Sequence, residues 1–324
     1  MPTPVEVRPL AQTGIQITPV AMGCWPITGI TSVDVHVDQS EATLAAAFDA
    51  GINFFDTAYC YGFEGESERM IGRVLGSHRD EIVIATKGGL HWEHGKQVKD
   101  ASPATLVREC EESLRRLGTD VVDLLYLHAP DPQTPLAESA GALRKLMEAG
   151  KTRSVGVSNF SVAQLREFAE ACPIAAYQPH YNMLQREIEA EQLPWCIEQG
   201  VAVIVYWPLM KGLLAGKLPR DYQFDLRDGR RKYPMFHGEE WQRNQDFLDK
   251  LRPIAADAGK TVAQLVLAWT LEQPGITAVL AGAKRPEQIR DNAGGMGWRL
   301  TPAQREQIDR ALAERGPSAS RAAV

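Results

Sequence analysis

Eight times along this 324-residue chain a short apolar run is followed by a stretch with helical spacing, and that alternation constrains the fold more than any other feature. The runs are residues 21–24, 52–56, 82–87, 121–128, 154–159, 175–179, 201–207 and 277–282. They are short and rich in Val, Ile, Leu and Ala, the pattern of strands buried on both faces. Explicit helix starts stand between them. Ser102 before Pro103 is an N-cap with proline at the first helical position, and Leu106, Cys110, Leu114 and Leu117 then recur on one face until Gly118 stops the helix. Openings of the same kind stand at Thr134-Pro135, at Ser161, at Thr261 with Gln264 and at Thr301-Pro302 with Gln304, the last two with capping-box spacing.

Strand and capped helix in alternation imply parallel strands joined by crossovers. With no composition break and no Ser/Gly-rich linker, the chain is expected to form a single domain over 1–324, a closed (β/α)8 TIM barrel rather than two doubly wound sheets. Two short alternating stretches around Gln12-Thr13-Gly14 predict an N-terminal β-hairpin over residues 5–18. The connections 88–101 and 208–238 are longer than a barrel needs. Both follow strands, so both are expected as long loops at the C-terminal face, where they are candidate lids.

Composition removes several function classes. Lys and Arg number 35 against 41 Asp and Glu, a net charge of -6, which argues against a nucleic-acid or membrane-surface partner. No apolar run approaches the ~20 residues a bilayer span needs. The start, M-P-T-P-V-E-V-R, has no apolar stretch after a basic one, so no secretory leader and a cytoplasmic location are expected. Cys24, Cys60, Cys110, Cys172 and Cys196 are scattered without a C-x-x-C pair, as reduced thiols would be. His91-Trp92-Glu93-His94, with Asp56 or Glu64, raises a metal-dependent hydrolase or isomerase, but the stretch is loop-like and lacks H-E-x-x-H spacing, so no metal is expected. No G-x-G-x-x-G follows the first strand; a dinucleotide would bind without the Rossmann turn.

In such a barrel the C-terminal strand ends converge on one mouth. Read off those ends, the residues are Asp56, Lys87, His128, Ser158-Asn159, Gln178, Tyr206 and Gly282. Polar groups after otherwise apolar runs are costly to bury unless they have partners. Asp56, Lys87 and His128, with Tyr61, read as a proton-transfer site. A phenol titrates near ~10 in water; a neighbouring lysine cation favours the phenolate and is expected to lower that value, while an aspartate holds the lysine in place. Tyr61 would then be the acid, with His128 orienting a carbonyl.

These residues lie in motifs that run nearly end to end: D-T-A-Y-C-Y-G from Asp56 with G-E-S-E from Gly65, A-T-K from Ala85, D-L-L-Y-L-H-A-P-D from Asp123, G-V-S-N-F from Gly156, Q-P-H-Y-N from Gln178, G-L-L-A-G-K from Gly212, and G-A-K-R-P-E-Q from Gly282 with Asn292. In this order and spacing the chain resembles the aldo-keto reductase superfamily. The resemblance implies a catalytic tetrad of Asp56, Tyr61, Lys87 and His128 and hydride transfer between a nicotinamide and a carbonyl carbon. Tyr59 competes with Tyr61 only by proximity. His128 stands where relatives that reduce carbon-carbon double bonds carry glutamate, so it implies carbonyl reduction.

For the cofactor the resemblance implies that Ser158, Asn159 and Gln178 hold the nicotinamide carboxamide and that Tyr206 stacks on its ring. It places Leu209, Gly212, Leu214 and Lys217 around the pyrophosphate, and Gly282, Lys284, Gln288 and Asn292 around the adenosine end. Lys284 and Arg285 offer two charges to a 2′-phosphate, so NADPH/NADP+ is expected ahead of NADH. Trp207, where many relatives have serine, and Asp291, where glutamate is usual, depart from the pattern. The partner implied is a small-molecule aldehyde or ketone, with Trp25, Tyr59, Trp92 and the 208–238 loop as pocket walls, and Arg227, Arg230, Arg231 and Lys232 as an attraction for anions. A different class, an NADPH-binding regulatory subunit with slow turnover like the potassium-channel β subunits of this superfamily, is the alternative. Nothing in the sequence selects an oligomeric state.

Overall fold

In the computed structural model, which describes residues 5–319, all eight expected strands are present and close on themselves. A hairpin of β1 (Arg8–Pro9) and β2 (Gln16–Ile17) comes first, as expected. The barrel strands β3 (Val20–Gly23), β4 (Phe54–Asp56) and β5 (Val83–Gly88) follow. A second antiparallel hairpin, β6 (Leu90–Glu93) and β7 (Lys96–Lys99), occupies the long connection after β5. The barrel is completed by β8 (Leu124–Leu127), β9 (Val155–Ser158), β10 (Ala176–Gln178), β11 (Ala202–Tyr206) and β12 (Ile276–Gly282). Each pairs in parallel with its barrel neighbours, and β12 closes on β3.

The helices run α1 (Val37–Asp49), α2 (Glu66–Leu75), α3 (Pro103–Leu117), α4 (Leu136–Glu148), α5 (Val162–Ala171), α6 (Gln192–Gln199), α7 (Gly238–Asp257), α8 (Val262–Leu271), α9 (Pro286–Ala293) and α10 (Pro302–Arg315). The Ser102 hydroxyl accepts from Thr105 N, as its position predicts. Ser161, Thr261 and Thr301 all close full capping boxes with Gln164, Gln264 and Gln304. The expected start at Thr134-Pro135 is different. Helix α4 begins at Leu136 with Pro135 as its cap residue, and the Thr134 hydroxyl donates 2.7 Å to Asp131 instead. Asp131 also accepts from the Gln133 and Ala101 amides, so the aspartate organises this turn and takes the threonine from the helix. Among the described residues no helix is long and apolar enough to cross a membrane.

Strands buried on both faces sort their side chains by the period of two. One set, including Val20, Met22, Phe55, Ile84, Leu125, Val157, Val203 and Val279, packs outward on the helices. The other, Ala21, Phe54, Val83, Ala85, Leu124, Tyr126, Ala176, Ala202, Ile204, Ala278 and Leu280, fills the barrel with Leu10 and Ile17 from the first hairpin. Continuing the inward set by one step carries β4 to Asp56, β5 to Lys87, β9 to Ser158, β10 to Gln178 and β11 to Tyr206. The same periodicity that packs the core thus delivers the polar groups to one end.

Candidate active site

Lys87 and Asp56 are each 1% exposed and meet at 2.5 Å. The ammonium spends its other donors on the Thr57 carbonyl at 2.8 Å and the Tyr61 hydroxyl at 3.2 Å. An ammonium can only donate, so the phenol oxygen is its acceptor and the phenolic proton remains for a partner on the cleft side. The other carboxylate oxygen of Asp56 accepts from Gln178 Nε2 at 2.8 Å. His128 presents its ring edge to Tyr61, with centroids 5.9 Å apart. The four residues therefore converge as expected.

Behind them, the Thr86 hydroxyl donates to Glu68, which is fully buried and paired with Arg116 at 3.1 Å. The G-E-S-E stretch thus bolts α2 and α3 to the outside of the strand that carries Lys87.

The electrostatics correct one expectation. Tyr61 is not lowered by Lys87: burial first, and the Asp56 charge second, hold the phenol well above its ordinary value. The lysine charge is already compensated by Asp56, so the phenol faces a nearly neutral pair in a desolvated site. Burial also raises Asp56, against the lowering by Lys87 and Gln178. His128 is pushed well below the usual histidine value by desolvation and then by the positive charges of Lys87 and Lys99. At neutral pH the site holds a protonated phenol beside a neutral imidazole.

Tyr126, which the sequence reading passed over, lies beneath this group with its ring 5.8 Å from Lys87 Nζ. Its position between inward-facing Leu124 and His128 was the signal that could have found it. Gly156 is paired beside Tyr126 in the sheet, and a Cβ there would sit 2.5 Å from the Tyr126 ring and 2.8 Å from the Ala176 carbonyl oxygen. The glycine is required by close approach.

The residues expected to hold a nicotinamide form one network. Ser158 donates to the Gln178 carbonyl at 2.7 Å, and Asn159, at a left-handed φ of 64°, donates to Ser158 and to the His128 carbonyl. The Tyr206 hydroxyl donates to Asn159 Oδ1 at 2.8 Å. Beyond β11 the backbone is strained: Trp207, Met210 and Lys211 have φ of 59°, 46° and 55°, followed by Gly212 at 91°. Such clusters gather at functional edges. Trp207 carries the Lys211 ammonium 3.8 Å above its ring and meets Tyr233 edge-on, so it offers packing where relatives have a hydroxyl.

Other expected ligand residues divide. Leu214 is fully buried, and the amides of both Leu214 and Gly212 are spent on the Leu209 carbonyl. Lys217 pairs with Asp291 at 2.6 Å, and Asp291 also accepts from Thr261 and Gln264, so this shorter acid clamps the loop to α8. Lys284 donates to the Val33 carbonyl at 2.9 Å, and Gln288 accepts from the Lys284 amide. Burial and the charges of Arg230 and Arg285 push the Lys284 ammonium below its usual value. Asn292 is buried on α9, and Gly282 stands exposed at the end of β12.

Of the expected pocket walls, Trp25 and Trp92 face the site. Trp25 meets Tyr61 edge-on at 5.1 Å, and the Trp92 indole donates to the Cys60 carbonyl at 2.9 Å while packing on Phe63. Phe63, 60% exposed, is an aromatic of this wall that the sequence reading did not single out. Tyr59 is a correction: its hydroxyl donates 2.6 Å to Glu112 and its ring lies under Arg116, so it is turned onto α3 and away from Tyr61. His91 pairs with Glu109 and Glu93, and the 88–101 connection is thereby fastened as a hairpin. Among the described residues no cluster suited to a metal ion occurs.

The family model described as aldo/keto reductase family matches residues 19–313. The chain belongs to the aldo/keto reductase family. It is 35% identical to an aldo-keto reductase of Bacillus subtilis, YhdN, over 95% of this chain and 94% of that one. An NADH-specific methylglyoxal reductase of Escherichia coli is 33% identical over 91% of this chain and 94% of its own length. Among solved structures, a glycerol dehydrogenase from Gluconobacter oxydans, AKR11B4, superposes with a TM-score of 0.89 at 36% identity over 98% of each chain. Asp56 and Lys87 end barrel strands β4 and β5 and His128 follows β8, the carboxyl ends at which barrels of this kind carry their sites.

Proposed function

We propose that this protein reduces a small aldehyde or ketone to an alcohol with NADPH, using Tyr61 as the general acid. The observation that carries the reading is the buried Lys87, anchored by Asp56 and donating to the Tyr61 hydroxyl beside His128. When bound, a nicotinamide cofactor supplies the hydride. Asn159, Ser158 and Gln178 are polar side chains of the kind that hold a carboxamide and stand together with the Tyr206 ring alongside, and they would take up the group by exchanging bonds now made to one another, to the His128 carbonyl and to Asp56. At the other end, the Lys284 ammonium donates to the Val33 carbonyl and lies near Arg230, Arg285, Asp228 and Asp34, a cationic edge that suits a phosphate, and Arg285 is exposed beside it.

His128 and Tyr61 both donate to the substrate carbonyl oxygen and so polarise its carbon. Tyr61 gives up its proton to that oxygen as the carbon is reduced. The phenolate left behind is stabilised by the Lys87 ammonium, and it regains a proton from water before the next turnover. Trp25, Trp92 and Phe63 wall the approach and exclude water from one side. The relatives act, by their names, on methylglyoxal and glycerol, which favours short oxygenated carbonyl compounds here. We place the enzyme in the cytoplasm, where its five free, buried cysteines would stay reduced.

NADH is the second reading, because the E. coli relative is named for it. Steady-state oxidation of NADPH and of NADH against short aldehydes tests both. Turnover with NADPH that falls at least ~10²-fold in Tyr61→Phe, with cofactor binding retained, is expected for loss of a general acid. Lys284→Ala should raise KM for NADPH and leave KM for NADH unchanged. Preference for NADH would overturn the cofactor assignment, and tight NADPH binding without turnover would favour a regulatory subunit.

A further inference from the structure

We infer that the Cys60 thiol fixes His128 in the tautomer that carries its proton on Nε2, and is thereby a positioning residue for the carbonyl. Cys60 lies in the turn between β4 and α2, one residue before Tyr61, and is 1% exposed. Its Sγ stands 3.6 Å from His128 Nδ1, within hydrogen-bonding range for sulfur. The turn is held at several points. The Cys60 carbonyl accepts from the Trp92 indole, the Tyr61 amide donates to Ala58, and the Cys60 side chain packs with Ala58 and Leu90. The His128 amide donates to the Gly88 carbonyl, so neither partner is free to drift.

A neutral imidazole carries one N–H, and this contact can be made in two ways. Either Sγ–H donates to Nδ1 and Nε2 keeps the proton, or Nδ1–H donates to sulfur and Nε2 is a bare lone pair. Chemistry selects the first. Sulfur is a weak acceptor, whereas an unprotonated imidazole nitrogen is a good one. Burial also pushes the Cys60 thiol up to about 12, so it keeps its proton at neutral pH. With Nδ1 occupied as acceptor, Nε2–H is the donor that remains. It is the group a carbonyl oxygen requires, since a bare nitrogen there would repel it.

The functional consequence rests on the carbonyl-reductase reading, but the tautomer can be measured without turnover. In protein labelled with 15N-histidine, long-range proton–nitrogen correlation spectra report the protonated ring nitrogen, with the His128 signals assigned by their loss in His128→Gln. The wild type is expected to show a protonated Nε2 and an unprotonated Nδ1; the opposite pattern overturns the inference whether or not the protein reduces carbonyls. Kinetics supply the second arm. Cys60→Ala is expected to lower kcat roughly five- to tenfold with NADPH affinity unchanged, as for a lost orienting contact. Cys60→Ser, which restores a donor, is expected to recover part of that loss. Wild-type kcat in Cys60→Ala, or equal losses in both variants, would show that the thiol only fills space.

Discussion

Removing both partners of the buried Asp56–Lys87 pair should cost clearly less stability than the two single removals added together. The groups are 1% exposed and 2.5 Å apart, and at an effective dielectric of about 20 their attraction is roughly 6–7 kcal/mol before desolvation is counted. In Lys87→Met the carboxylate keeps the Gln178 hydrogen bond but loses its counter-ion; in Asp56→Asn the ammonium keeps Thr57 and Tyr61 but loses its own. Each single change should destabilise by about 3–5 kcal/mol, the usual cost of leaving one buried charge uncompensated. The double variant leaves no charge behind. It should be less destabilised than the sum of the singles by about 1–3 kcal/mol. Urea unfolding followed by tryptophan fluorescence measures all four corners of the cycle. Additive effects would refute the argument that the pair is coupled and desolvated. All three variants should lose turnover, because each removes the donor to Tyr61 or its anchor.

Gly156→Ala should destabilise by about 1–3 kcal/mol, as overpacking does, because the new methyl meets the Tyr126 ring; thermal unfolding measures it, and an unchanged midpoint would show that Tyr126 can move aside. The depressed pKa of His128 gives a pH dependence of definite sign. The folded state holds this imidazole neutral while the unfolded chain protonates it below about pH 6.5, so its contribution is complete above that pH and is lost as pH falls towards the folded value. His128→Asn should therefore lose less stability than the wild type between pH 7 and pH 5, compared by urea midpoints; parallel losses would show that this histidine is not desolvated.

Much of the architecture was legible because short apolar runs and capped helices are local signals. The four-residue spacing of Leu106, Cys110, Leu114 and the hydroxyl–glutamine pairs at Ser161, Thr261 and Thr301 act within one turn of chain. Thr134 misled because Asp131 competes for its hydroxyl, and the acceptors it could reach are not ranked by spacing alone. Tyr59 misled for a related reason: two residues from Tyr61, it looks equally placed, yet Glu112 and Arg116 on a helix some fifty residues later turn it outward.

The sequence by itself determined the barrel and the strand ends that reach its mouth, Asp56, Lys87 and His128 among them, because a strand's period of two carries the inward residues of each run to its carboxyl end; Tyr61, in the turn after β4, joined them only through the resemblance. Only the tertiary structure decided how those groups behave. Burial and the Asp56 charge outweigh Lys87 at the Tyr61 phenol, Gln178 spends its amide on the same carboxylate, and Cys60 comes within reach of His128 across a sequence gap of 68 residues. Protonation states depend on burial and on neighbours a few ångströms away in space, and those are set only when the barrel closes.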